Sequence, residues 1–148
     1  MEITMNSLVF FVETDPCLEK LFVRLHEMNK MSCIFASNLK DAIELFLHNE
    51  KSITHVVLNE DLGANTETGC PNIMVLAKII SSRTDFKGIV FVTSSVSAQY
   101  VILEEILGDK FAKNLKYNPS KLDTIQEIIK RILVKRQESE RKLKKGSK

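Results

Sequence analysis

The chain has 148 residues, 44% of them apolar and 27% charged, and its formal net charge is +2. These values predict one globular domain with a sizeable core. They argue against a membrane-spanning protein, because no apolar run approaches the roughly 18 residues that a span needs. Three cysteines without C-x-x-C spacing predict free thiols, and the absence of a signal-peptide pattern leads us to expect a cytoplasmic protein.

The charge is unevenly distributed along the chain. Residues 135–148 hold seven basic and two acidic side chains, a net +5, so residues 1–134 carry −3. We therefore divide the chain into a body, 1–134, and a basic tail, 135–148. We interpret the tail as a solvated end, with binding to nucleic acid, an anionic membrane or an acidic partner as open alternatives. Its basic residues are Lys135, Arg136, Arg141, Lys142, Lys144, Lys145 and Lys148.

The first part of the chain alternates between strand and helix signals. The apolar run Ser7–Val12 predicts a strand buried on both faces. Asp15 is placed to cap a first helix, which apolar residues at helical spacing extend to about residue 29. Ser32–Ala36 predicts a second strand, after which Asn38 caps a second helix.

The middle of the chain contains the most informative strand end. A short apolar run, Val56–Leu58, predicts the third strand, and Asn59 follows it directly. Gly63–Pro71 is a polar loop with glycines, a type that often carries function. Ile73–Ile80 forms the apolar body of a third helix, and Ile89–Thr93 predicts the fourth strand.

The last part completes the alternation. Ser97 is placed to cap a fourth helix, which Gly108 ends. Ala112–Asn118 predicts a fifth strand, at a sheet edge because two lysines interrupt it. Ser120 caps a fifth helix, whose apolar stripe fades after Leu133. Five strands alternating with five helices predict an α/β fold, in which a doubly wound parallel sheet is covered by helices on both faces.

Sequence motifs for nucleotide or ester chemistry are missing. The chain has neither G-x-G-x-x-G nor G-x-x-x-x-G-K-[ST], and no G-x-S-x-G follows a strand. The histidines and cysteines show no metal-ligand spacing either. We therefore do not expect an enzyme, and we expect no cofactor.

Polar residues instead collect at the carboxyl ends of the strands, which converge on one edge of a parallel sheet. They are Glu13, Thr14, Asp15, Asn59, Thr93 and Asn118. In element order, element lengths and strand-end positions, residues 6–134 resemble the receiver domain of two-component response regulators. The resemblance implies a flavodoxin-like five-stranded sheet of order 2-1-3-4-5. It also implies the family's chemistry, in which a histidine kinase supplies a phosphoryl group to an aspartate beside Mg²⁺.

The family's motif residues carry over only in part. The family's acidic pair falls on Glu13 and Thr14, and its phosphoacceptor aspartate falls on Asn59. The switch hydroxyl is kept at Thr93. The family's lysine-proline pair falls on Asn118-Pro119, and the resemblance implies a cis peptide bond there.

The changed residues remove what phosphoryl transfer needs, namely an in-line nucleophile, a metal and a nearby cation. Asn59 removes the nucleophile, because an amide cannot form an acyl phosphate. Thr14 and Asn59 each remove an anionic Mg²⁺ ligand, and Asn118 removes the cation. We interpret the chain as a pseudo-receiver, a phosphorylation-independent protein–protein interaction module in signalling. The family's usual partner and dimer surface implies contacts through the fourth helix, fifth strand and fifth helix.

An alternative interpretation keeps the chemistry and moves the acceptor to Asp61. The family's Asp-Gly pair looks like Thr68-Gly69 here, two residues later than usual. With a strand register shifted by two residues, Asp61 would lie at the family's usual spacing from that glycine and would be phosphorylated with Mg²⁺. Glu13, Asp15 and Asp61 are then the candidate metal ligands. Otherwise Glu13 is a surface acid and Asp15 a helix cap.

Three further residues have two interpretations each. Asn59 either locks the domain in one state by bonding to Thr93 or to a backbone group, or is a neutral relic. Thr93 is either a working switch hydroxyl or a strand-end threonine bonded to backbone. Lys116 either reaches the pocket or is a solvated edge lysine.

Overall fold

The computed structural model of the chain describes residues 7–14, 20, 23–24, 27, 32–59, 62–93, 98–112 and 121–146. Within these residues the chain forms a parallel sheet of four strands in the order β2-β1-β3-β4. The strands are β1 (Leu8–Val12), β2 (Ser32–Ala36), β3 (His55–Leu58) and β4 (Ile89–Val92). The α/β class, the parallel pairing and the order of these four strands agree with the sequence analysis.

Helices separate the strands, as predicted. The four residues described in the predicted first helix, Lys20, Val23, Arg24 and Glu27, are helical. The second to fifth predicted helices are labelled α1 (Leu39–Asn49), α2 (Asn72–Ser82), α3 (Ala98–Leu107) and α4 (Lys121–Gly146). A short 3₁₀ turn at Gly108–Lys110 follows α3.

Two of the sequence signals for helix ends are confirmed. The Asn38 side chain accepts a hydrogen bond from the Asp41 backbone N–H at 2.9 Å, and its own amide donates to the Asp41 carboxylate at 2.9 Å. This arrangement satisfies a donor that the first turn of α1 would otherwise leave unpaired. At the other signal, α3 ends at Leu107 and Gly108 adopts φ +55°, a conformation that glycine takes without steric cost.

The predicted fifth strand, Ala112–Asn118, lies mostly outside the described residues. Phe111 forms a parallel bridge with Val90, and the Ala112 N–H donates to the Val90 carbonyl at 2.8 Å. The chain thus begins to pair alongside β4. The described sheet has four strands, one fewer than predicted, because the rest of this run falls in residues 113–120, and so does the Asn118-Pro119 bond.

β1, β3 and β4 are buried on both faces, because alternate side chains enter two separate cores, whereas the edge strand β2 is mostly only partly buried. On one side, Phe10, Val12, Val56, Leu58, Val90 and Val92 pack with the inner faces of α1, α2 and α3. On the other side, Val9, Phe11, Val57 and Phe91 pack with Ile125, Ile128, Ile129 and Ile132 of α4. The continuous apolar runs in the sequence follow from this two-sided burial.

Helix α4 continues beyond the point where its apolar stripe ends. It spans 26 residues to Gly146, a length of about 39 Å at 1.5 Å per residue. Ile132 is buried and Leu133 is partly buried, whereas the side chains described after them, Val134, Glu138 and Arg141, are exposed. The basic tail is therefore a direct continuation of the helix as far as Gly146. None of the described helices has the length and apolarity needed to cross a membrane.

Charged side chains join the helices at the amino edge of the sheet. Arg83, after α2, donates to both carboxylate oxygens of Glu50, after α1, at 2.7 and 2.8 Å. These hydrogen bonds hold the pKa of the buried Glu50 carboxyl below its ordinary value of 4.5.

Lys110 makes a second set of polar contacts near the amino edge of the sheet. Its ammonium donates to the carbonyl oxygens of Ile80 at 3.2 Å and Arg83 at 2.8 Å, and it lies 5.7 Å from the centre of the Phe86 ring. Burial lowers the pKa of Lys110. This lysine satisfies carbonyl groups that the end of α2 leaves without intrahelical donors.

We predict that Gly88→Ala destabilises the fold by about 1–3 kcal/mol, because the added methyl group overpacks a rigid position. A Cβ there would collide with the Thr54 carbonyl oxygen and would lie 2.7 Å from the Phe86 ring. The Thr54 oxygen cannot move away freely, since it accepts a ladder hydrogen bond from Ile89 at 3.1 Å. Urea denaturation measures the effect. Lys78→Ala, on the exposed side of α2, is the control and should change stability by no more than about 0.5 kcal/mol.

We also predict that Glu50→Gln reduces the loss of stability in acid. Because the folded-state pKa of Glu50 is lowered, the unfolded chain binds more protons as the pH falls below about 4.5. The stabilisation from Glu50 is therefore present above that pH and is lost as the pH falls through the folded-state pKa. The urea midpoint of the variant should depend less steeply on pH in this range. Glu44→Gln, at an exposed position of α1, is the matched control. An equally steep dependence in Glu50→Gln would contradict the assignment.

Candidate functional site

Three polar residues form a row across the carboxyl edge of the sheet. Glu13, Asn59 and Thr93 each continue the backbone ladder by one residue past a strand: their N–H groups donate to the neighbouring strand at 3.0, 3.1 and 3.0 Å. The residues before them, Val12, Leu58 and Val92, are paired in register. The register therefore fixes which side chains become neighbours.

Asn59 and Glu13 are joined directly. The Asn59 Nδ2 group donates to Glu13 Oε1 at 2.7 Å. Asn59 is only 2% exposed, and Glu13 is half-buried. A buried amide has to be hydrogen-bonded, and a carboxylate is the stronger class of acceptor for it. This pairing therefore gives the strand-end amide a stable position in the fold.

The chemistry of this pair depends on the amide being a donor. An ionised carboxylate only accepts hydrogen bonds, so an aspartate at position 59 would place two acceptors in contact. Two carboxylates at such a distance require a shared proton or a cation between them. With Asn59 present, the contact to Glu13 is satisfied without either.

The other predicted site residues are only partly described. Thr93 is buried at 6% exposure, and Thr14, after Glu13, is exposed. The structure thus brings together Glu13, Asn59 and Thr93. The remaining candidates lie outside the described residues: Asp15, Asp61, Lys116 and Asn118.

No group of three or more His, Cys, Asp or Glu residues suited to a metal occurs within the described part of the chain. Asp15 and Asp61, which the alternative interpretation needs as ligands, are outside that part. Among the thiols, neither Cys33 nor Cys70 is in a disulfide bond, and burial raises the pKa of Cys33 to about 11. Cys33 is therefore a protonated, weakly reactive packing residue.

The loop after β3 has a defined shape. The Asn65 side-chain oxygen accepts hydrogen bonds from the N–H groups of Glu67 at 2.8 Å and Thr68 at 3.0 Å, which forms an Asx turn. Gly69 then takes φ +70°, and its N–H donates back to the Asn65 carbonyl at 2.8 Å. An antiparallel bridge between Ala64 and Pro71 closes the loop. These hydrogen bonds brace the tip of the loop, which is exposed to solvent.

Solved structures share this architecture. A response regulator receiver protein from Pseudomonas putida aligns with 87% of this chain and 99% of its own, at 15% identity and a TM-score of 0.59. Chemotaxis response regulator CheY4 of Vibrio cholerae aligns over 86% and 98%, at 11% identity and a TM-score of 0.61. The Saccharomyces cerevisiae Ssk1 receiver domain, in a co-crystal with the histidine phosphotransfer protein Ypd1, aligns over 84% and 87%, at 15% identity and a TM-score of 0.55.

The chain has the receiver-domain fold. No protein-family model matches the sequence, and the comparison with curated proteins finds no match. At these low identities the structural likeness establishes shared architecture, so the chemistry of this receiver fold has to be argued from its own residues.

Of the described strands, β1 and β3 end at the residues predicted from the sequence, and β4 ends one residue earlier, at Val92. β3 ends at Leu58, so Asn59 is the residue in line with Glu13 and Thr93. Gly69 has a positive φ in the loop after β3, and it belongs to the Thr68-Gly69 pair that resembles the family's Asp-Gly pair.

The hydrogen bond between Asn59 and Glu13 was not predicted from the sequence. Thr93 or a backbone group was the expected partner of a locking Asn59, and Glu13 was interpreted as a surface acid or a metal ligand. A signal was present, since each residue directly follows a buried strand and the predicted sheet order makes those strands neighbours. An acceptor and a donor at matched strand ends predict pairing.

We predict that Asn59→Asp destabilises the fold by about 1–3 kcal/mol at pH 7, because it replaces a buried donor with a second carboxylate facing Glu13. The like charge raises the pKa of the pair in the folded state, so the loss should shrink as the pH falls. Urea denaturation at pH 7 and pH 5 measures both effects.

A role exchange provides the control for that prediction. In Asn59→Asp combined with Glu13→Gln, the amide and the carboxylate swap positions, and the donor–acceptor match is restored. The double variant should recover most of the stability lost in Asn59→Asp at pH 7. If Asn59→Asp is as stable as the original chain at pH 7, the energetic role given to the pair is wrong.

Proposed function

We propose that this chain is a degenerate receiver domain that works as a phosphorylation-independent protein–protein interaction module in two-component-type signalling, and that it is not a catalyst. The observation that carries the proposal is the hydrogen bond from Asn59 to Glu13. Asn59 occupies the strand-end position at which the receiver resemblance places the phosphoacceptor. A carboxamide at that position offers no nucleophile for an acyl phosphate.

The surrounding chemistry supports the same proposal. Phosphoryl transfer in this fold needs a divalent metal to neutralise the phosphoryl oxygens. Mg²⁺ binds mainly through carboxylates and water, and here one oxygen of Glu13 already accepts from a neutral amide. Thr14, an exposed neutral residue, follows at the family's second acidic position. We therefore propose that the module works without a metal cofactor.

The proposal explains why the fold is intact when its reactive groups have changed. The two-sided core does not depend on the strand-end side chains, since its members are apolar residues of the strands and helices. A receiver fold can thus present a fixed surface to a partner while its edge is chemically inert. Ssk1, a structural neighbour, is crystallised with a phosphotransfer protein. We propose a protein partner for this chain as well, contacted through α3, the predicted fifth strand and α4.

A phosphodonor assay tests the proposal. The purified chain is incubated with acetyl phosphate and Mg²⁺, and its intact mass is measured without delay. We expect no phosphoryl adduct, because Asn59 supplies no nucleophile. An adduct that is lost in Asp61→Ala would overturn the proposal and establish the alternative acceptor. Glu67→Ala, in the exposed loop after β3, is the matched control for removal of a carboxylate.

We predict that Asn59→Asp alone does not restore a phosphorylation-dependent switch. The variant regains a nucleophile, but Asn118 still stands at the position where the family's lysine supplies a cation for the phosphoryl group. Two-dimensional NMR spectra of the variant, with and without acetyl phosphate and Mg²⁺, should differ only near position 59. Shifts that extend to α3 and α4 would show that the cation has been given too much weight. Asn118→Lys added to Asn59→Asp is the comparison variant.

A further inference from the structure

The carboxyl ends of three helices carry charged residues at the amino edge of the sheet. α1, α2 and α3 belong to one layer, since residues of all three pack into the same core. Each of these helices is followed within three residues by a charged side chain, namely Glu50 after α1, Arg83 after α2 and Lys110 after α3. We name these three residues the amino-edge clamp.

Lys110 has an acceptor for every proton of its ammonium group. An ammonium carries three N–H donors and no acceptor. Its Nζ atom lies 2.8 Å from the carbonyl oxygen of Arg83, 3.2 Å from that of Ile80 and 3.4 Å from that of Ser81. All three oxygens are at the carboxyl end of α2, where the helix dipole favours a positive charge. The match of three donors with three acceptors indicates a fixed position for this ammonium group.

Arg83 links the other two members of the clamp. Its guanidinium donates to both carboxylate oxygens of Glu50, at 2.7 and 2.8 Å, which is a strongly directional arrangement. Glu50 is only 6% exposed, so this contact is shielded from water on the carboxylate side. The backbone carbonyl of Arg83 accepts from Lys110. The end of α1 holds the side chain of Arg83 and the end of α3 holds its backbone, so each contact helps to position the acceptor or donor of the other.

An aromatic contact joins the same helix ends. The buried Phe86 ring lies 5.7 Å from the Lys110 ammonium, and it packs edge to face with the Phe46 ring of α1 at a centroid distance of 5.4 Å. The Ser81 hydroxyl of α2 donates to the Ile106 carbonyl of α3 at 2.7 Å. Each of the three helix ends is therefore held by groups that belong to another helix end or to the loop after it.

We propose that the amino-edge clamp makes the ends of α1, α2 and α3 one cooperative unit, which holds α3 in one orientation from the end remote from Asn59 and Thr93. Residues in one hydrogen-bond network depend on each other energetically, whereas separate helix caps contribute independently. The clamp does not depend on the chemistry at Asn59. Because α3 belongs to the proposed partner surface, the clamp also keeps that part of the surface in one arrangement, a consequence that rests on the proposed function.

Amide hydrogen exchange, measured by NMR on the full chain, tests the clamp, because each helix end contains a reporter N–H. The reporters are Ile53 after α1, Arg83 after α2 and Phe111 after α3, which donate to carbonyl groups three or four residues earlier at 3.0, 3.2 and 3.1 Å. Each of them reports the local opening of one helix end. The N–H groups of Asn59 and Thr93, which bond between strands at the opposite edge at 3.1 and 3.0 Å, are the references.

Lys110→Met removes the ammonium group and keeps an unbranched apolar side chain. We expect the exchange of all three reporters to rise by a similar factor of about ten or more, because hydrogen bonds to a charged group are lost. The references should rise by a clearly smaller factor. Ile53 is the deciding reporter, since the described contacts of Lys110 lead to α1 through Arg83 and Phe86. Lys87→Met, which removes an exposed lysine near Lys110, is the control and should leave the reporters unchanged.

The reciprocal change starts at the end of α1. Glu50→Gln should raise the exchange of Phe111 as well, and Glu44→Gln, at an exposed position of α1, is its control. In Glu50→Gln combined with Lys110→Met, the exchange of Arg83 should rise by less than the product of the two single effects, because each contact helps to fix Arg83 for the other. Thermal unfolding of each variant checks that it folds.

Three results would overturn the proposal. An unchanged Ile53 in Lys110→Met would make Lys110 a local cap of α2. An equal rise of reporters and references would show global destabilisation without a local unit. A rise equal to the product of the single effects in the double variant would show independent contacts. None of these measurements uses a phosphodonor, so a failure of the clamp can be told apart from a failure of the proposed function.

Discussion

Burial on both faces is the constraint that organises this protein. The strands carry apolar side chains into two cores at once. Among the buried polar side chains of the described residues, Asn59 and Thr93 lie at the first positions after strands. The parallel register then decides which of them meet, and it places Glu13, Asn59 and Thr93 side by side.

The hydrogen bond between Asn59 and Glu13 is the chemical outcome of that placement. It turns a pair of strand-end positions that could hold a cation into a donor and an acceptor that satisfy each other. A buried amide without such a partner would cost free energy, so the pair also contributes to a unique arrangement of the edge. The same contact therefore supports the fold and is the observation on which the proposed loss of phosphoryl chemistry rests.

Much of the fold follows from sequence patterns with a local cause. The unbroken apolar runs of β1 and β4 predicted buried parallel strands, Asn38 predicted the start of α1, and Gly108 predicted the end of α3. The partner of Asn59 was harder to predict, because a side-chain contact between strand ends depends on register and rotamer as well as on sequence order. The end of α4 could not be predicted from its apolar stripe. That stripe fades after Leu133, whereas the backbone continues as a helix to Gly146.

The contacts of Lys110 have a mechanical consequence. Its ammonium, attached to the turn after α3, is anchored in the carbonyl groups at the end of α2, and the Ser81 hydroxyl donates back to the Ile106 carbonyl of α3 at 2.7 Å. The two helices are thus cross-braced in both directions at the end remote from the strand-end row. If α3 tilts, either α2 moves with it or these polar contacts between the two helices break together. A displacement of α3, for example on partner binding, is therefore coupled to α2 in the same layer.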